Sequence, residues 1–312
     1  MILLIKYTLL YAVVLMLVAL GGMFSERSGV INIALEGIMT IGGLAGVFVL
    51  SLFGGTVSGP VLVAFAVLAS VASGMVYSLL LAFSAITLKA DQTIGGTALN
   101  MLATAIAIVA VKAFNNSSAS GNGAASAKLT YDNGPFIYSV GPITINIFLI
   151  LGVILLVCSS VFLFKTKWGL RLRACGEHPQ AADSVGINVY HWRYAGVVIS
   201  GALGGLGGLA YIVPSVSTWN FEVGVAGAGF LALAVMIFGQ WKPYRIAGAA
   251  VFFAVFKSLS NIADSTVLAS FGLSKNIYSM MPFIASMIIL AFTSKNSRAP
   301  KAEGIPYDKG AR

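Results

Sequence analysis

Residues 2–23 read ILLIKYTLLYAVVLMLVALGGM and contain one charged side chain, Lys6. A bilayer core of about 30 Å is crossed by about 20 apolar residues in a helix. This run therefore fills a whole membrane span. Because Lys6 follows a short apolar stretch instead of leading a basic segment, we expect an uncleaved first helix and not a removed signal peptide.

The composition of the 312 residues extends this expectation to the whole chain. Hydrophobic residues make up 58% and charged residues 9%, whereas a soluble domain carries roughly 25% charged residues. The 35 glycines have no collagen-like spacing and predict close helix contacts. The net charge of +9 is better explained by basic residues retained on the cytoplasmic side than by a nucleic-acid partner.

Further apolar runs predict an all-α polytopic bundle with about nine spans, between about eight and ten. Continuous apolar runs exclude a transmembrane β-barrel, whose strands alternate over about ten residues. Runs 224–239 and 246–260 are short, and 60–87 is long enough to contain a bend. The candidate spans are 2–23, 30–53, 60–87, 94–114, 143–164, 194–213, 224–239, 246–260 and 277–293.

Basic residues predict the orientation of this single membrane domain, 1–312. They are concentrated in the loop 165–193, in the turn 242–245 and in the tail 294–312, which alternating spans place on one face, expected to be cytoplasmic. The Asn-, Ser- and Gly-rich segment 115–142 then becomes an extracytoplasmic loop, and the N-terminus lies outside.

Several features argue against an enzyme. The chain contains no G-x-x-x-x-G-K-[ST] motif, so no P-loop is expected to bind ATP. The glycine run 201–208 lies inside an apolar span, where helix packing explains it better than dinucleotide binding. His178 and His191 lack a nearby cysteine pair, and Cys158 and Cys175 predict no disulfide. We expect a non-catalytic chain without cofactor or metal.

Polar groups inside apolar segments are the candidate functional residues, since they are costly in a bilayer. Asn32 and Glu36 lie four positions apart and share a helix face if this segment is helical. Asn100 is the third candidate. Two roles remain open for these groups: hydrogen bonds between helices, or lining of a transport path. Lys257, near Asp264, is expected to extend its ammonium to the membrane surface.

The loop 165–193 contains a second candidate site. Pro179 can open a short helix that continues through Val185 and stops at Gly186. The small residues Ala181 and Ala182 would allow this helix to approach a partner closely. We therefore favour a docking element, with a loop that only fixes topology as the alternative.

Four stretches spread over nearly the whole chain carry a family resemblance: 25–37 (SERSGVINIALEG), 174–188 (ACGEHPQAADSVGIN), 229–239 (GFLALAVMIFG) and 297–310 (SRAPKAEGIPYDKG). They resemble membrane permeases of ABC importers in the branched-chain amino acid, simple sugar and nucleoside group. The resemblance is closest to the nucleoside-type permeases, which are linked to basic membrane lipoproteins.

The resemblance implies a type II importer permease in a bacterial cell membrane, importing nucleosides. It implies cytoplasmic ATPase subunits, a related second permease chain and an extracytoplasmic solute-binding lipoprotein as partners. Simple sugars such as ribose are the alternative substrates, and an ATP-independent secondary transporter is the alternative mechanism. The ATPase-coupling residues implied are Gly176, Glu177, Ala181, Ala182, Gly186 and Ile187.

Overall fold

The computed structural model describes residues 2–118, 126–140, 143–262, 275–293 and 299–310. The helices are α1 (Ile2–Arg27), α2 (Leu35–Phe53), α3 (Gly59–Ala82), α4 (Gln92–Ser118), α5 (Ile147–Lys165), α6 (Lys167–Glu177), α7 (Pro179–Ser184), α8 (Val189–Ile212), α9 (Ala228–Phe238), α10 (Pro243–Ile262) and α11 (Lys275–Thr293). The strands are β1 (Lys128–Thr130), β2 (Ile137–Val140), β3 (Ile143–Asn146) and β4 (Thr218–Asn220).

The long helices follow the predicted spans closely. Among the described residues, 7 helices are long and apolar enough to cross a membrane: α1, α2, α3 with the π-helical turn that continues it, α4, α5, α8 and α10. The shorter α9 and the helix α11 match the two remaining apolar runs. The structure confirms a multi-pass helical bundle, while the count of about nine crossings stays a prediction.

Glycines allow the central helices to approach closely. Gly205 of α8 packs against the backbone of Ser70 and Gly74 on α3, and Gly42 of α2 packs against Gly205 from another side. A Cβ atom at Gly205 or Gly42 would overlap these neighbours. The glycine run of α8 is therefore helix packing, as predicted, and α8 is surrounded by other helices.

The connection between α1 and α2 differs from the expectation. Residues 28–34 are not helical, and the Ser25 hydroxyl donates a hydrogen bond to the Val30 carbonyl oxygen at 2.7 Å. Because Asn32 lies in this connection and Glu36 lies in the first turn of α2, the two do not share a helix face. The apolar pattern of the segment concealed the break, since apolar residues suit a buried loop as well as a buried helix.

The structure contains two small antiparallel sheets that the sequence did not predict. One strand of each, β1 and β2, lies within the loop expected at 115–142. Strand β1 pairs with β4, with Thr130 opposite Thr218, and β2 pairs with β3. The Tyr131 hydroxyl also donates to the Ile212 carbonyl oxygen at 3.2 Å. These contacts fix the segment before α5 over the end of α8. Residues 119–125 and 141–142 of the loop lie outside the described ranges.

Candidate functional site

Glu36 connects α2 to the start of the short helix α9. Its Oε1 accepts a hydrogen bond from the Gly227 N–H at 2.8 Å, and its Oε2 accepts one from the Gly229 N–H at 2.7 Å. The first N–H groups of a helix have no partner inside the helix and carry a partial positive charge. The half-buried carboxylate therefore supplies both acceptors and a compensating negative charge.

Lys257 of α10 supplies the opposite charge that acts on Glu36. Its side chain is half-buried, so the expected extension to the membrane surface does not describe its environment fully. Asp264, close to Lys257 in the sequence, lies outside the described residues. Glu36 thus joins α2 to α9 through hydrogen bonds, and Lys257 of α10 acts on it through its charge.

Asn100 of α4 binds the beginning of α2 and the connection that precedes it. Its Oδ1 accepts a hydrogen bond from the Gly37 N–H at 2.7 Å, and its Nδ2 donates to the Ile33 carbonyl oxygen at 2.9 Å. The side chain is buried. Since the amide binds the backbone of α2 at Gly37 and of the preceding connection at Ile33, Asn100 ties α4 to both.

Asn32 binds the opposite side of the same connection. Its Nδ2 donates to the Ser200 hydroxyl of α8 at 2.8 Å, while its buried Oδ1 has no hydrogen-bond partner among the described residues. The relative exposure of Asn32 is 0%. The three predicted residues thus lie within or against residues 32–37, each with different partners.

Gln92 belongs to this region and was missed by sequence reasoning. It begins α4, is buried, and its Oε1 accepts a hydrogen bond from the Ile31 N–H at 2.7 Å. Its position just before the apolar run 94–114 was the available signal, because an amide at a span end can satisfy a neighbouring loop. Asn32, Gln92 and Asn100 together hold residues 31–37 in place.

Residues 176–187, the coupling segment that the resemblance implies, lie beside the end of α1. Gly176 packs directly against the Arg27 carbonyl oxygen, and Glu177 forms an ion pair with Arg27 at 3.4 Å. The predicted short helix is confirmed as α7, Pro179–Ser184. It ends before Gly186, whose φ of +83° is a conformation that favours glycine.

The two faces of α7 differ from what the small residues suggested. Ala182 is only 3% exposed and packs in the protein's own hydrophobic core. Ala181 is exposed, and Val185 is 73% exposed. Successive helical residues point in directions about 100° apart because one turn takes about 3.6 residues. The exposed surface of this segment therefore includes Ala181 and Val185, and Ala182 does not belong to it.

The described residues contain no group of three or more His, Cys, Asp or Glu side chains that could hold a metal ion. Cys158 and Cys175 are both free thiols. The polar groups around residues 31–37 are instead engaged in holding helices together. Glu36 differs from the two asparagines because it is half-buried.

Comparison with known proteins gives a consistent result. The profile described as "Branched-chain amino acid transport system / permease component" matches residues 4–291. The guanosine ABC transporter permease protein NupQ of Bacillus subtilis is 42% identical over 98% of this chain and 96% of its own length. The nucleoside ABC transporter permease protein NupC of Lactococcus lactis is 36% identical over 96% of this chain and 95% of its own.

A putative glucose ABC transporter permease of Haloferax volcanii is 30% identical over 85% of this chain and 79% of its own length. No solved structure matches the chain. The family profile and both nucleoside-permease relatives span nearly all the apolar helices. This multi-pass protein of the bacterial cell membrane therefore belongs to the permease-component family of branched-chain amino acid transport systems.

Proposed function

We propose that the chain is the permease subunit of an ATP-driven importer and that nucleosides are its substrates. The observation that carries this proposal is the 42% identity to a guanosine permease over 98% of the chain. Simple sugars are the second candidate, because a putative glucose permease is 30% identical over 85% of the chain. An ATP-independent transporter has no such support among the relatives.

In this proposal, the single domain 1–312 has its loop 115–142 outside the cell. Its coupling loop 165–193 and its tail 294–312 lie in the cytoplasm. A related second permease chain completes the path, and a solute-binding lipoprotein delivers the nucleoside from outside. Separate cytoplasmic ATPase subunits hydrolyse ATP, so this chain remains non-catalytic.

Glu36 is the proposed contact of the transport path with the solute. A carboxylate offers about four acceptor positions; the N–H groups of Gly227 and Gly229 at the start of α9 occupy two of them, and the Phe230 N–H also interacts with the carboxylate. The remaining positions can accept hydrogen bonds from nucleoside hydroxyl or amino groups. Asn32 and Asn100 hold the adjoining wall of the path in shape through their bonds to α8 and α2.

The exposed face of α7 is the proposed contact with the ATPase, together with Gly186 and Ile187 beyond the helix. Val185 exposes 73% of its surface in a segment that the basic residues predict to lie in water. A single exposed apolar side chain is common on protein surfaces, so the proposal rests on where Val185 lies, in the segment that resembles the coupling element of importer permeases. Gly176, Glu177 and Ala182 contribute by fixing this face to the body of the permease.

Val185→Glu and Val185→Ile form a matched pair that tests the coupling surface. A buried unpaired charge costs several kcal/mol, so Val185→Glu should reduce ATPase co-purification and uptake by at least about tenfold. The isoleucine variant keeps an apolar side chain and should retain both. Co-purification from membranes and uptake of labelled guanosine are the measurements. Normal values for both in Val185→Glu would show that α7 is only a topological element.

Competition separates the two candidate substrates. Uptake of labelled guanosine by the wild-type complex should fall with excess unlabelled nucleoside and persist with excess ribose or glucose. Saturable uptake of labelled ribose or glucose by the same complex, with no uptake of labelled guanosine, would assign the permease to sugar import.

A further inference from the structure

The tail, residues 299–310, lies across the coupling segment and the α1–α2 connection. The Ala302 N–H donates a hydrogen bond to the Gly176 carbonyl oxygen at 2.9 Å, and the Gly304 N–H donates to the Gly29 carbonyl oxygen at 3.3 Å. Ala302 is buried. Two residues of the tail, only two positions apart, therefore join the end of α6 to the connection that contains Asn32.

Arg193 of α8 holds the tail from beneath. It is only 1% exposed, and its Nη1 donates to the Ile305 carbonyl oxygen at 2.9 Å. Its Nε and Nη2 have no hydrogen-bond partner within the described part of the chain. A Cβ atom at Gly29 would lie 2.8 Å from Nη2, so the guanidinium lies against Gly29. Without the tail, this buried cation would lose its bond to Ile305.

The end of the tail makes three further contacts. Asp308 forms an ion pair with Lys89 at 3.3 Å, and Lys309 forms one with Asp183 of α7 at 3.9 Å. The Tyr190 hydroxyl donates to the Tyr307 carbonyl oxygen at 3.4 Å. Exposed ion pairs contribute little stability. Their positions matter more here, because they connect the tail to α7, to α8 and to the segment between α3 and α4.

We propose that residues 299–310 form a strap that transmits displacement of the coupling segment to the α1–α2 connection, with Arg193 as the positioning residue that seats it. This inference rests on the proposed function, in which ATPase subunits move α7. The displacement passes from Gly176 through Ala302 and Gly304 to Gly29. From there it reaches residues 31–37, which Asn32, Gln92 and Asn100 tie to α8 and α4.

Arg193→Met and Arg193→Lys test the positioning role. Methionine has a similar reach but no donor for the Ile305 carbonyl oxygen, whereas lysine keeps a donor and the charge. In the reconstituted complex, Arg193→Met should keep its ATPase subunits, because the exposed face of α7 is unaltered. Guanosine transported per ATP hydrolysed should fall about tenfold, and Arg193→Lys should restore most of it. An unchanged ratio in Arg193→Met would overturn the proposal.

A cross-link tests the strap without weakening the fold. Asp183→Cys and Lys309→Cys place thiols on α7 and the tail, in a chain where Cys158→Ala removes an exposed thiol. Burial raises the pKa of Cys175 to about 11, so this thiol stays protonated and unreactive toward a bis-maleimide at neutral pH. The cross-linked complex should keep its transport per ATP, because a strap and α7 move together.

Loss of transport on cross-linking, with the ATPase still bound, would show that the tail must leave α7 and would contradict a strap. Each thiol alone, treated with the same reagent, is the control. The proposed function is tested separately in the same experiment, since ATP-driven uptake by the wild-type complex depends on neither variant.

Discussion

Helices α5 and α8 are both apolar, yet the less hydrophobic of the two is the more buried. The most apolar 18 residues of α5 have a mean hydropathy of 3.0 and 22% of them are buried. For α8 the mean hydropathy is 1.6 and 78% are buried. In a soluble protein the order would be reversed. Lipid chains are as apolar as leucine, so hydrophobicity does not select which membrane helix goes inside.

Side-chain size accounts for the difference. Helix α8 contains the run 201–208, in which most residues are glycine, whereas α5 consists mainly of large aliphatic and aromatic residues. Glycine allows two backbones to approach, which increases dispersion contacts between helices. Large side chains on α5 are well solvated by lipid and gain little from burial. Close packing of small residues, and polar contacts added to it, therefore determine the centre of this bundle.

Gly205→Leu should have the largest effect, because it disrupts the close packing of α8 against α3. The added side chain would meet the backbone of Ser70 and Gly74, and overpacking against a rigid backbone should exceed the usual cost of about 1–3 kcal/mol. Val157→Leu on α5, where the side chain is 47% exposed, is the control and should be neutral. Gel filtration and thermal unfolding in detergent measure both. Equal melting temperatures for the two variants would refute the role of side-chain size.

Glu36→Leu should have the next largest effect on stability. It removes a polar contact between helices, and so tests the contribution that polar contacts add to the close packing of small residues. It leaves the N–H groups of Gly227 and Gly229 without acceptors, at about 1–3 kcal/mol for each. Glu36→Gln keeps one acceptor oxygen and should recover part of the loss. Thermal unfolding and guanosine uptake are measured together. A glutamine variant that unfolds normally but does not transport would indicate a direct contact with solute, and unchanged unfolding and uptake in Glu36→Leu would contradict both roles.

Ile38→Val and Ile154→Val should have the smallest effects on stability. Ile38 is 0% exposed and faces Gly204 of α8, whereas Ile154 is 51% exposed on α5. Removal of a buried methylene costs about 0.5–1.5 kcal/mol, so the first variant should unfold at a measurably lower temperature. The second should be unchanged in the isolated chain. A clear loss for Ile154→Val would mean that this face of α5 is covered by protein.

Much of the fold could be predicted because its signals are local. The spans follow runs of apolar residues, and the start and stop of α7 follow from Pro179 and Gly186. The break between α1 and α2 could not be predicted, because apolar residues occur in buried loops as well as in buried helices. The pairing of β1 with β4 depends on segments far apart in the chain, with Lys128 opposite Asn220.

The candidate site was predicted in part. Asn32, Glu36 and Asn100 stand out because polar groups are rare in apolar spans, and the structure brings all three to one region. Their partners could not be predicted, since most are backbone groups without a distinctive sequence. The sequence also did not predict that the Ala182 side chain faces the protein core. Two adjacent alanines look alike in a sequence, and only the position of α7 against the core separates them.

By itself, the sequence determined that this chain crosses a membrane many times, because so few charges cannot cover a water-exposed protein of this length. It also showed which polar residues are unusual within apolar spans. Only the tertiary structure decided which helices lie at the centre and which N–H groups Glu36 binds. Gly227 is 191 positions away from Glu36. Contacts between residues so far apart in the sequence depend on how closely small residues allow helices to pack, and a local pattern of hydrophobicity does not predict that packing.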